Sequence, residues 1–215
     1  MHSWVFAVVF GVILGLLVKW LFIKPTEDKF DKLARECMDK QALKRHGTLT
    51  VAERTPVLRI PHKTTTIELG YISNNVDLSR EFTYARFRTE DFPDKKFSMY
   101  LNSTDFLNKP LAIGTRVELV DERLREKYAV TGNDAVFVNR VLTEEVRNRL
   151  LQESLHVKFG KRIDSSALSR GHGWLTVFIL GTRAGDGLFD GLIETAMLVY
   201  DALAIVNSNA HETQQ

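Results

Sequence analysis

Two stretches of this 215-residue chain carry side chains whose types and spacing could do chemistry. The first is Ser169-Arg170-Gly171-His172-Gly173, where an imidazole that titrates near neutrality stands between two glycines. With Ser165 or Ser166 as nucleophile and Asp164 as the orienting acid, His172 would serve as the base of a hydrolase. Triad groups meet in space and not along the chain, so the same residues also read as a loop turn with an exposed histidine. The second stretch is Gly181-Thr182-Arg183-Ala184-Gly185-Asp186-Gly187, just ahead of an apolar helical pattern. Backbone amides at Gly185 and Gly187 could cradle a phosphate, with Arg183 adding charge. Asp186 stands where the anion would sit and no Lys-Ser or Lys-Thr follows, so a plain hairpin-to-helix loop fits as well. None of the six histidines falls in a His-Glu-x-x-His or other metal spacing, and no Gly-x-Ser-x-Gly or Walker loop occurs. No metal or cofactor is therefore expected, and a binding role is favoured over catalysis.

Composition narrows the classes further. The 29 basic and 27 acidic residues leave a net charge of +2, which gives no electrostatic footprint for nucleic acid. The stretch Phe82-Thr83-Tyr84-Ala85-Arg86-Phe87-Arg88 mixes aromatics with arginine as a single-strand platform does, but Glu81, Glu90, Asp91 and Asp94 nearly cancel it, and it reads as an amphipathic strand. Cys37 is the only cysteine, so there is no disulfide framework and no multi-cysteine zinc site; a small buried apolar role is expected for it.

What would position any such site is set at the start of the chain. Residues 3–23 are predominantly apolar with Lys19 the only charge, and 21 residues at ~1.5 Å each match the ~30 Å hydrocarbon thickness of a bilayer. Trp4 and Trp20 suit the two interfaces, and Lys19 can snorkel outward. The start lacks the basic residues and small-residue cleavage site of a signal peptide, so a retained transmembrane anchor over residues 1–24 is expected. Lys24, Lys29, Lys32, Arg35, Lys40, Lys44 and Arg45 follow the span and none precedes it, which favours a cytoplasmic body tethered to the inner (cell) membrane by a single pass, while so short a leading tail also allows a bacterial anchor with its domain outside. Ala7, Gly11 and Gly15 recur every fourth residue and give one helix face of small side chains, through which two copies could pair; glycine and alanine are also simply common in membrane helices.

Beyond the anchor, Pro25 and the spacing of Phe30, Leu33, Ala34, Cys37 and Met38 predict an amphipathic helix over residues 25–47, ending at Gly47. From Thr48 the period shifts to two, predicting half-buried antiparallel strands, among them a short edge strand between Pro56 and Pro61. Asp134 precedes a short helix at 135–141, and Thr143 with Glu144 and Glu145 starts another. Leu155, Val157 and Phe159 alternate with His156 and Lys158, a strand with one wet face. Residues 174–180 are apolar on both faces and predict the central strand of the sheet. A long amphipathic helix from Asp186 should close the core, with a polar tail over residues 208–215.

The order Tyr128-Ala-Val-Thr-Gly-Asn-Asp134, apolar helix, Leu142-Thr143 helix start, strand, strand and long terminal helix resembles uncharacterised bacterial proteins that carry one membrane helix ahead of an α+β domain of unknown function. That resemblance implies membrane tethering. The expectation is an α+β fold over residues 48–207, a mainly antiparallel sheet covered by helices, serving as a membrane-anchored module. It would associate with itself or with an unknown protein partner, and the alternatives are the His172 hydrolase and the Arg183 anion sensor.

Overall fold

The computed structural model describes residues 26–52, 55–72, 81–89, 95–101, 115–161 and 172–212. The helices among them are α1 (Thr26–Arg45), α2 (Glu122–Lys127), α3 (Ala135–Val141), α4 (Glu144–Glu153) and α5 (Asp186–Glu212). The strands are β1 (Thr48–Ala52), β2 (Thr55–His62), β3 (Thr65–Ile72), β4 (Phe82–Arg88), β5 (Phe97–Leu101), β6 (Thr115–Arg116), β7 (Tyr128–Gly132), β8 (His156–Lys161) and β9 (His172–Leu180). All nine join one sheet in the order β1-β2-β3-β4-β9-β8-β5-β7-β6, with every pairing antiparallel. The fold is α+β, a large antiparallel sheet with a long C-terminal helix. Strand β9 is the fifth of nine, the central place that an apolar run on both faces demands.

Local chemistry starts and stops the helices. Asp121, Asp134 and Thr143 sit at extended N-caps and accept from Leu124 N, Phe137 N and Val146 N. Helix α1 ends with His46 in the left-handed region at φ 54° and Gly47 N bonded to Ala42 O at 2.9 Å. Gly47 is a glycine for space, because a Cβ there would lie 2.9 Å from both Arg59 O and Leu58 Cδ1.

One face of the sheet packs on the helices. Leu58, Ile60, Ile67, Leu69, Ala85, Phe87, Val157, Phe159, Leu175 and Val177 meet Phe189, Leu192, Ile193, Ala196 and Val199 of α5, with Val138, Val146 and Leu150 of α3 and α4, in one continuous core. Helix α1 belongs to that core, burying Ala34, Cys37 and Met38. On its outer side Lys40 pairs with Asp186 at 2.9 Å and Lys44 with Asp190 at 2.8 Å. Arg45 reaches Asp190 at 2.7 Å and Glu194 at 2.9 Å. Glu194 also pairs with Arg149 of α4, so the charged network ties three helices together. At the other end Tyr71 of β3 donates to Asp31 at 2.5 Å and stacks edge-on against Phe30.

Several expectations shift. The segment between the prolines is the second strand and runs through both of them, Pro56 facing Val51 and Pro61 facing Thr66; the edge belongs to β1. The charged run after Asp121 folds as α2. Helix α5 continues to Glu212, five residues past Asn207. Residues 1–25 lie outside the described residues, and with them the expected transmembrane anchor over residues 1–24 and the small-residue face expected at Ala7, Gly11 and Gly15. Among the described residues no helix is long and apolar enough to cross a membrane.

Candidate functional site

Strand alternation gives the sheet a second face, and here the sequence reading of wet strands does not hold. His156 and Lys158 are only 3% and 6% exposed, and every residue of β4 but Arg88 is buried. The pairing register lays the side chains of this face out in rows that cross the strands. One row runs Gly70, Tyr84, Phe178, His156 across β3, β4, β9 and β8, and Tyr100 of β5 continues it with its ring centroid 5.6 Å from that of His156. The next row runs Arg59, Glu68, Arg86, Thr176, Lys158, Ser98, Thr131 and is polar at every position across seven strands. On the other side of the aromatic row stand Ile72, Phe82 and Leu180. Phe82, Tyr84, Tyr100 and Phe178 form a hydrophobic cluster of their own, and no described helix residue belongs to it.

The polar row is bonded toward its two ends. Arg86 Nε donates to Glu68 Oε2 at 3.1 Å, while Glu68 Oε1 accepts from Arg59 Nε at 3.2 Å. The Arg86 guanidinium lies 4.7 Å from the Tyr84 ring and 4.9 Å from the Trp174 ring, between two π faces that suit a cation. Gly70 makes room for this, since a Cβ there would stand 2.8 Å from Tyr84 Oη. Further along, the Ser98 and Thr131 hydroxyls share a bond of 2.8 Å.

The middle of the face differs. Tyr100 Oη and Thr176 Oγ1 are buried and have no hydrogen-bond partner among the described residues. His156 Nδ1 accepts from Leu101 N at 3.3 Å, which leaves the ring proton on Nε2. Burial pulls the His156 pKa down to about 4, so the ring is neutral at physiological pH, and burial alone pushes the Tyr100 phenol well above its ordinary value. Neither the imidazole nor the phenol changes charge near neutral pH.

The residues singled out from the sequence are placed elsewhere. His172 is the first residue of β9, paired with Lys161 where the register shifts; Asp164, Ser165 and Ser166 lie outside the described residues. Arg183 is exposed, and its backbone is held by Thr83, whose hydroxyl accepts from Arg183 N at 2.9 Å. The Asp186 carboxylate at the start of α5 pairs with Lys40, which holds its pKa below the usual carboxylate range. A Cβ on Gly185 or Gly187 would meet nothing within 4 Å, so neither glycine is demanded by a close approach. Cys37 is buried, and burial pushes its thiol up. Among the described residues no group of three or more His, Cys, Asp or Glu could hold a metal. The sequence reading missed Tyr100, His156 and Thr176. Its available signal was polar residues at alternate positions in three strands that the register then aligns.

Comparison of the chain with protein-family models, with characterised proteins and with solved structures gives no match in any of the three.

Proposed function

We propose that this chain is a single-span protein of the inner membrane whose α+β domain works on the cytoplasmic side as a non-catalytic assembly module. It binds a second copy or another membrane-associated protein. The supporting observation is that α1, which begins three residues after the apolar run of residues 3–23, is a core element of the domain and is tied to α5 and α4 through Arg45, Glu194 and Arg149. A domain on a loose stalk meets neighbours in any orientation. One whose stalk is part of its core presents the same surfaces to each neighbour in the bilayer, which lowers the orientational cost of association. Ala7, Gly11 and Gly15 offer a close-packing face within the span. Strand β1, an edge strand with no lysine or proline and with Val51 65% exposed, offers a lateral one.

The test is crosslinking of the full-length protein in its membrane beside a Gly11→Leu, Gly15→Leu variant at matched expression, with the products identified by mass spectrometry. A self-dimer lost in the variant, or one recurring second protein, is the expected result. Absence of any specific partner in both forms overturns the reading.

A further inference from the structure

Strand β1 closes one edge of the sheet, and its ladder to β2 shows which of its backbone groups point outward. Val51 faces Pro56, which has no N–H to give, and the Thr50 hydroxyl donates to Val57 O at 3.2 Å, so Val57 O is aimed at β1. Alternation in an antiparallel pair then assigns Thr48, Thr50 and Ala52 to the ladder with β2 and turns the N–H and C=O of Leu49 and Val51 away from it. Among the described strands only β2 pairs with β1. Native edges are commonly blunted by charge, proline or a bulge. Thr48-Leu49-Thr50-Val51-Ala52 has none of these, whereas the opposite edge, β6, is two residues long and carries Arg116. The side chains of Leu49 and Val51 share the helix-covered face: Leu49 packs partly buried against the main core, and Val51 stands 65% exposed.

We propose that β1 pairs antiparallel with β1 of a second copy about a two-fold axis at Thr50. This rests on the self-association proposed above and names its surface and register. With Thr50 opposite Thr50, Leu49 of each copy faces Val51 of the other, and every outward N–H and C=O of the two residues finds a partner. An axis at Leu49 would instead set Val51 against Gly47, whose N–H is already given to Ala42 O, and one at Val51 would set Leu49 against position 53, beyond the end of β1. In the Thr50 register each exposed Val51 is covered by the other copy's Leu49, and the two threonines form a favourable cross-strand pair. The strand carries no charge, so self-pairing meets no like-charge repulsion along it. The two-fold axis runs perpendicular to the sheet and keeps both helix layers on one side of the joined sheet. Both copies of α1, which begins three residues after the apolar run of residues 3–23, then lie on the same side, as two chains entering one bilayer require. One strand pair buries far less than the roughly 1,600 Å² of a standard interface, so confinement of both chains to one bilayer supplies the effective concentration that the contact needs.

The full-length chain in isolated membranes is oxidised with copper phenanthroline as the parent, whose only cysteine is the buried Cys37, and as Thr50→Cys, Thr48→Cys and Thr48→Cys, Ala52→Cys variants. Directly opposed residues of a non-hydrogen-bonded pair stand about 4.5 Å apart at Cα, within reach of a disulfide, whereas the two copies of Thr48 are four residues out of register and about 14 Å apart. Expected are a disulfide-linked dimer from Thr50→Cys and from the double variant, in which the register sets the two substituted positions opposite each other, and none from the parent or from Thr48→Cys. Adding Val51→Lys, the device by which native edges prevent such pairing, should abolish the Thr50→Cys dimer. The proposal is overturned if neither Thr50→Cys nor the double variant links, if Thr48→Cys links as well as they do, if the linked product contains another protein, or if Val51→Lys leaves the dimer unchanged. Amine crosslinking of the parent in the same membranes separates this from the broader reading: a self-dimer there without the Thr50→Cys disulfide overturns the β1 register alone, and absence of any dimer or partner overturns both.

Discussion

His156 is where a single side chain has the clearest measurable consequence. In an unfolded chain its imidazole would titrate near 6.5, while in the folded protein burial holds it near 4. Between those values the unfolded state carries a proton that the folded state lacks, so stability falls as the pH drops through this window and is constant, for this group, above it. One pKa unit corresponds to about 1.4 kcal/mol, so the loss between pH 7.5 and pH 4.5 is on the order of 2–3 kcal/mol from this residue. Urea unfolding at the two pH values, compared with a His156→Asn variant that keeps an acceptor for Leu101 N–H, should show the parent losing more stability by that amount. An equal pH response in the two proteins would mean that the ring is solvated. This residue also marks a limit on reading sequence. Leu155-His156-Val157-Lys158-Phe159 alternates as a half-exposed strand does, and alternation reports which residues share a face, not whether water reaches it. The exposure of a face depends on the rest of the chain, which period-two spacing does not encode. The Arg86 position shows the same limit. The sequence reads its stretch as an amphipathic strand, whereas only the cross-strand register reveals Glu68 opposite it and two ring faces beside it.

At the scale of elements, the legible features were those written in short-range chemistry. Thr143 with two glutamates after it marked the start of α4, Asp134 that of α3, and the Trp174 to Leu180 run gave the central strand, because caps and two-sided burial leave local signatures. The role of α1 was legible only in part. Its apolar stripe is plain, but a stripe does not name the surface it packs on, be it the domain, a second copy or lipid. The structure places Ala34, Cys37 and Met38 in the main core. Met38→Ala should therefore cost about 2–5 kcal/mol, the range for truncating a buried methionine. Leu33→Ala, one turn away at a half-exposed position, should stay within about 0.5 kcal/mol. Similar costs for the two variants in urea titrations would show that α1 does not pack as described. Pro56 and Pro61 misled for an identifiable reason. Proline removes a donor, which argues for an edge, yet β2 lies between β1 and β3 with both prolines inside it.

For the whole molecule, the smallest folding unit follows from where the core runs. A fragment of residues 26–215 keeps α1 and should unfold cooperatively, with the near-UV circular dichroism of fixed aromatic packing. A fragment of residues 48–215 starts at the first strand, where the hydrophobic period shifts, and strips Met38 and Cys37 from the core while leaving Asp190 and Glu194 without Arg45. It should keep much of its far-UV signal and lose the near-UV signal. Equal near-UV spectra for the two fragments would show the domain to be complete without its first helix.

The central place of β9 also governs how the chain comes into being on the ribosome. Strand β4 ends at Arg88, and the partner that covers its far edge does not begin until His172. At about 5–20 residues per second, some 4 to 17 seconds pass between their synthesis. During that interval the emerging sheet of β1 to β4 ends in an open strand rich in phenylalanine and tyrosine, the kind of edge on which nascent chains aggregate. Arg86 and Arg88 interrupt that strand at alternate positions. In the finished fold Arg86 is enclosed between Tyr84 and Trp174; on the half-made chain the same two charges act as gatekeepers, keeping the edge soluble until its partner strand arrives.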